Sequence, residues 1–165
     1  MKQNAEVKPA RCSGKRFAII CAQFYPELAA QLLQGAREGL RACDVRDEDV
    51  SVYEVPGCFE LPLAASRIIT ADRKIDGIIA LGIVVRGETP HFGYVAGECA
   101  RGIMVVQLTT GVPIGFGVLT TETVEQAAER ADPKRGNKGF SAALAAAALL
   151  AVPPEGVREV LGFRR

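Results

Sequence analysis

Gly77–Val85 reads GIIALGIVV, nine residues without one polar side chain. A strand with one face in water alternates apolar and polar residues. An unbroken apolar run of this length, bounded by turn residues, therefore predicts a strand covered on both faces. The run stops at Arg86-Gly87-Glu88-Thr89-Pro90 and leads to His91, the only histidine in the chain. Thr89 is placed as an N-cap and Pro90 as an early helical residue, predicting a helix from about Thr89 to Leu108.

The rest of the chain repeats the unit. Arg16–Ala22 predicts a second doubly covered strand. Pro26 then suits a helix N1 position, with Leu28, Leu32, Ala36 and Leu40 on one stripe. The charged turn Asp44–Asp49 precedes a strand over Val50–Val55, and Pro62 opens a helix through Ile69. A fourth strand is expected over Val112–Leu119. Thr123 and Gln126 have capping-box spacing before a helix with Val124, Ala127, Ala128 and Ala131 on one face. A loop over Pro133–Gly139 leads to an alanine-rich helix, Ser141–Val152, stopped by Pro153-Pro154. Alternation of strand and helix predicts an α/β fold: a three-layer α/β/α sandwich around a four-stranded parallel sheet, with flavodoxin-like topology. One domain over 16–153 is expected, with a flexible tail over 1–15 and another over 154–165.

Composition closes off several classes of function. Twenty Lys+Arg against 19 Asp+Glu leave a net charge of +1, so no nucleic-acid or membrane-surface partner is expected. Five scattered cysteines without a C-x-x-C pair, beside a single histidine, predict free thiols and no transition-metal site. Met1–Lys15 has no apolar segment of the secretory type, and Ala142–Val152 is too short to span a bilayer; a cytoplasmic protein is expected. There is no G-x-x-x-x-G-K-[ST] and no G-x-G-x-x-G after the first strand, which argues against a P-loop or a standard dinucleotide fold.

In parallel sheets, ligands sit beyond the carboxyl ends of the strands. His91, in the first turn of a helix, lies beside backbone N–H groups without intrahelical partners, which suit an anion. Proton transfer and mere proximity to a helix start both fit it. Phe24, Phe59 and Phe116 fall at or near strand ends, where core packing and a stacking platform for a planar heterocycle are the two readings. Glu60 is either a dipole-stabilised first-turn acid or a hydrogen-bond partner for a ring on Phe59. Arg130 alone reads as a surface arginine. Lys134–Gly139 reads as a solvated turn or an anion-binding segment.

Four blocks, taken together, identify a family. Val55-Pro56-Gly57-Cys58-Phe59-Glu60-Leu61-Pro62 is similar to V-P-G-A-F-E-[IL]-P of the lumazine synthases. Ala80-Leu81-Gly82 through Arg86-Gly87-Glu88-Thr89-Pro90-His91-Phe92 resembles A-L-G-x-[VI]-[VI]-R-G-x-T-x-H-F. Phe116–Thr121 with Glu125-Gln126-Ala127 resembles F-G-V-L-T-x…E-Q-A, and Gly136-Asn137-Lys138-Gly139 resembles G-N-K-G.

The resemblance implies condensation of 5-amino-6-(D-ribitylamino)uracil with 3,4-dihydroxy-2-butanone 4-phosphate. The products are 6,7-dimethyl-8-ribityllumazine, phosphate and water, in the penultimate step of riboflavin biosynthesis. It assigns proton transfer to His91. The pyrimidine and ribityl pocket falls to Phe24, Gly57, Cys58, Phe59, Glu60, Val84, Val85, Phe116 and Lys138, and the phosphate to the backbone of Glu88 and Thr89 with Arg130. No cofactor and no metal are implied. Phe116, Arg130 and Lys138 are expected to come from a neighbouring subunit. The family implies a homopentamer, in some members packed further into a decamer or a sixty-subunit shell. The short Asp132–Lys138 loop permits a shell, whereas Pro133 and Pro9 favour the pentamer. The chain departs from the family pattern at Tyr25, where Asn is common, at Ser141, where an acid is common, and at Cys58, where Ala is usual. The alternative function is a non-catalytic flavin- or lumazine-binding, or shell-forming, relative.

Overall fold

The computed structural model describes residues 7–152. Four strands and four α-helices alternate and a fifth helix follows: β1 (Phe17–Ala22), α1 (Pro26–Ala42), β2 (Val50–Val55), α2 (Leu61–Ala71), β3 (Gly77–Val85), α3 (His91–Thr110), β4 (Ile114–Thr121), α4 (Val124–Ala131) and α5 (Lys138–Leu149). Short 3-10 turns cover Asp47–Asp49 and Cys58–Glu60. The strands form one parallel sheet in the order β2-β1-β3-β4. This is the expected three-layer fold with its flavodoxin-like strand order.

The two apolar runs are the two inner strands, as their composition requires. Their residues divide by parity between the faces. Phe17, Ile19, Cys21, Ile79 and Leu81 pack with Leu32, Ala36, Leu40, Ala127 and Ala143 of α1, α4 and α5. Ala18, Ile20, Ile78 and Ala80 pack with Leu61, Ala65, Cys99 and Ile103 of α2 and α3. From β1 the chain crosses to β2 on one side, and from β3 it crosses to β4 on the other. With right-handed crossovers, that reversal puts α1 on one face, α2 and α3 on the opposite face, and a crevice beyond the ends of β1 and β3.

Helix α1 packs tightly on α5. A Cβ on Gly139 would lie 2.0 Å from the carbonyl oxygen of Leu32, and one on Gly39 would lie 2.8 Å from the Cβ of Ala143. Ahead of β1, Cys12 is buried, and its N–H donates to the carbonyl of Cys43 at 2.8 Å.

Several boundaries differ from the sequence expectation by one to three residues, three of them helix or strand starts with a clear local cause. β4 starts at Ile114, not Val112. Gly111 ends α3 in the left-handed conformation (φ 73°), Pro113 follows, and the side chain of Gln107 accepts from the Ile114 N–H at 2.6 Å. The turn thus consumes two residues, and the strand runs on to Thr121, paired with Val85. α3 starts at His91, with Pro90 in the N-cap position and no side-chain cap. α5 starts at Lys138 because the side chain of Asn137 accepts from the Phe140 N–H at 3.3 Å and caps it. Half of the α4 capping box is as expected, Thr123 accepting from the Gln126 N–H. The Gln126 side chain accepts from the Glu122 N–H instead of that of Thr123, and Val124 is exposed rather than on the buried stripe. Pro153-Pro154 and the 154–165 tail lie outside the described residues, as do residues 1–6.

Candidate active site

The crevice holds a cavity of about 540 Å³. β1 delivers Phe24 and Tyr25 to it. β2 and the 3-10 turn deliver Pro56, Gly57, Cys58, Phe59 and Glu60. β3 delivers Ile83, Val84 and Val85, and the approach to α3 delivers Gly87, Thr89, His91, Phe92, Tyr94 and Val95. Three separate strand ends thus converge on one volume, as expected at a switch point.

Core packing is not the role of Phe24 or Phe59, which are 72% and 58% exposed. Both present apolar ring area to the cavity instead. Cys58 anchors the turn that carries Phe59 and Glu60. Its buried Sγ donates a weak hydrogen bond to the carbonyl of Ile83 at 3.6 Å. Burial, reinforced by nearby Cys99, pushes the Cys58 thiol up to about 12. At neutral pH it is a neutral packing group, not a nucleophile.

The β3–α3 segment is held from outside. The Arg86 N–H donates to the carbonyl of Thr121 at 2.9 Å. The Arg86 guanidinium pairs with Glu122 at 2.8 Å and lies 4.3 Å from the centroid of the Phe92 ring. His91 opens α3 on the cavity wall. Pro90 offers no side-chain cap; the Gly93 N–H donates to the Pro90 carbonyl at 3.0 Å, which leaves the His91 and Phe92 N–H groups at the head of α3 for a ligand. Gly87 and Thr89 line the cavity, while Glu88 does not. That placement suits an anion, which the Glu88 carboxylate would repel.

Phe116, Arg130 and Lys138 lie away from the cavity. Phe116 sits in mid-β4, opposite Ala80 and five residues short of the strand's end, so it is not a strand-end residue as expected; it is 44% exposed. Arg130 is on α4, donating to the carbonyl of Gln126 at 2.9 Å. Lys138 opens α5, close by: a Cβ on Gly136 would lie 2.6 Å from the Arg130 Cα. Within its own subunit the Gly136–Gly139 stretch forms a helix cap and a packing contact. Ser141 also lies on α5, its hydroxyl directed to the carbonyl of Asn137 at 3.4 Å. Among the described residues, no lysine or arginine lines the cavity, and His91 and Glu60 are its only histidine and carboxylate. No group of three or more potential ligand residues is placed to hold a metal ion among the described residues.

The lining adds residues that the sequence reading did not select: Pro56, Ile83, Gly87, Phe92, Tyr94 and Val95, with Tyr25 known only as a departure. Tyr94 and Val95 follow His91 at helical spacing of three and four, the signal that places them on its face.

A family model described as 6,7-dimethyl-8-ribityllumazine synthase matches residues 14–153. The chain belongs to this family. A relative from Syntrophus aciditrophicus (strain SB), named 6,7-dimethyl-8-ribityllumazine synthase, is 48% identical over 133 residues. The match spans 81% of this chain and 86% of the relative. Membership of the lumazine synthase family makes the chain an enzyme of riboflavin biosynthesis, a transferase. Among the described residues, no helix is long and apolar enough to cross a membrane.

Proposed function

We propose that the cavity binds 5-amino-6-(D-ribitylamino)uracil and 3,4-dihydroxy-2-butanone 4-phosphate together and joins them into 6,7-dimethyl-8-ribityllumazine, releasing phosphate and water. The observation that carries this reading is the convergence of exposed Phe24 and Phe59, the Glu60 carboxylate and His91 on one apolar cavity at an uncapped helix start. Phe24 and Phe59 give a flat heterocycle its walls. Glu60 and the backbone of Gly57, Cys58, Val84 and Val85 offer polar partners to its edge. The start of α3, through the backbone of Glu88 and Thr89, takes the phosphate.

His91 shuttles the proton. It accepts one as the pyrimidine amine adds to the ketone. It then returns that proton to the departing oxygen during water loss, which leaves it free to accept another as phosphate departs. Holding both reactants is the larger contribution, since well-oriented intramolecular reactions gain about 7–11 kcal/mol.

A phosphate in this cavity has no cation from its own subunit among the lining residues. Arg130, Lys138 and Phe116 of an adjoining subunit supply the missing groups, so the working unit is a homopentamer; a decamer or sixty-subunit shell is a further packing of the same ring. A second feature supports association. α3 has 20 residues but buries only Cys99 and Ile103, leaving Tyr94, Met104, Val105 and Leu108 exposed on an apolar surface suited to a partner. A head-to-tail interface of this kind is satisfied at every subunit only in a closed ring.

The test is complementation. His91→Ala alone lowers kcat by about 10²-fold, the low end for one proton-transfer group. Arg130→Ala alone raises KM for the phosphorylated substrate. Co-assembled in equal amounts, about a quarter of ring interfaces pair an intact His91 with an intact Arg130, and activity rises to a comparable fraction of wild type. Activity equal to the mean of the two single variants overturns the shared site. Absence of lumazine formation above the spontaneous background overturns the reaction itself.

A further inference from the structure

Phe24 owes its place in the cavity to its neighbour. A ring 72% open to solvent exchanges rotamers freely unless something holds it. Tyr25 provides that hold: the two ring centroids are 5.2 Å apart with planes at 63°, an edge-to-face contact. Tyr25 is in turn anchored. Its half-buried side chain packs against the core cluster that contains Leu28 and Leu32. Its backbone stands at the N-cap of α1 (φ −121°, ψ 81°) directly before Pro26, whose ring disfavours the helical conformation in the residue ahead of it. The chain from core to Tyr25 to Phe24 is therefore rigid at its first link and depends on one aromatic contact at its second.

We infer that Tyr25 is a positioning residue for the pyrimidine. Its ring, not its hydroxyl, holds Phe24 as a wall of the cavity and so sets affinity for the flat substrate. This rests on the reading that the cavity takes the pyrimidine.

The experiment compares Tyr25→Leu and Tyr25→Phe with wild type in steady-state turnover and in fluorescence titration with 6,7-dimethyl-8-ribityllumazine. Loss of an edge-to-face pair is equivalent to about two- to twelvefold in binding. Tyr25→Leu is expected to raise KM for the pyrimidine and Kd for the lumazine by that factor. The contact is the same in ground and transition states, so kcat stays within about twofold. KM for the phosphorylated substrate is also unchanged, which a general loss of structure would not allow. Tyr25→Phe keeps the ring and is expected to match wild type on every measure. Unchanged pyrimidine KM and lumazine Kd in Tyr25→Leu overturn the inference while wild-type turnover leaves the functional reading standing. A Tyr25→Phe variant that loses pyrimidine affinity also overturns it, and decides the matter even where Tyr25→Leu fails to fold. Wild-type protein that neither turns over nor binds the lumazine overturns both.

Discussion

Gly82 is one of two glycines in the β3 apolar run, and its neighbour across the packing gap explains why it has no side chain. A Cβ built there would lie 2.4 Å from the Cys58 Sγ, 3.1 Å from the Ala22 Cβ and 3.5 Å from Leu61 Cδ1. The first distance is far inside van der Waals contact, about 3.5–4.0 Å, and both sulfur and strand are buried. Overpacking of this kind costs about 1–3 kcal/mol, and replacing glycine returns about 0.4–1 kcal/mol by restricting the unfolded chain. Gly82→Ala is thus expected to destabilise by about 1–2 kcal/mol, or roughly 3–8 °C in Tm for a chain of this size. Cys58→Ala alone removes one buried sulfur and costs about 1 kcal/mol. Together the two should cost only a little more than Cys58→Ala, because the added Cβ fills the space the sulfur vacates. The coupling is then about 1–2 kcal/mol, held below full recovery by the remaining contact with Ala22. Cys58 opens the turn that carries Phe59 and Glu60, so KM for the pyrimidine should rise in Gly82→Ala and return in the double variant. Denaturation at fixed subunit concentration measures the stability term, since association shifts it by mass action. Additivity of the two substitutions within about 0.5 kcal/mol refutes the argument.

Two further outcomes follow from the packing. Asn137 combines an N-cap hydrogen bond with a left-handed backbone (φ 41°), so Asn137→Ala is expected to cost about 2 kcal/mol and Asn137→Gly less than half of that, measured by thermal denaturation. Burial pushes the thiols of Cys21 and Cys58 up to about 12 and that of Cys99 to about 11, from an ordinary 9.0. Above pH 9 the unfolded chain therefore releases protons that the folded chain retains, and stability falls as pH rises from 9 through 11–12. A Cys58→Ala, Cys99→Ala variant should show a shallower fall in denaturation midpoint between pH 9 and 11; an identical slope counts against burial as the cause.

The order of elements, the two doubly covered strands and the parallel sheet were legible in the amino-acid pattern. Those depend on local periodicity: Gly77–Val85 has no polar side to turn to water, and Leu28, Leu32, Ala36 and Leu40 repeat at the helical period. Strand-end position also marked Phe24, Phe59, Glu60 and His91, because ligand-facing residues of a parallel sheet follow its strands, and three strand ends are legible as apolar runs that stop. The site roles of Gly57, Cys58, Val84, Val85 and Thr89 came only from the family resemblance.

Tertiary structure decided the rest. Whether α5 starts at Lys138 or Ser141 depends on Asn137 reaching a left-handed conformation that the close α1–α5 packing supports. β4 begins two residues late because Gln107, seven positions away, takes the Ile114 N–H. Which residues share the cavity is a matter of register and crossing direction, which no local pattern encodes. Tyr25 turns in against Phe24, whereas Phe116, with the same side chain, stays in mid-strand opposite Ala80. The cavity has apolar and aromatic walls and, among the described residues, no lysine or arginine, and α3 leaves Tyr94, Met104, Val105 and Leu108 exposed. A periodic pattern reports that a face is apolar, but only three-dimensional packing tells whether the same chain covers it.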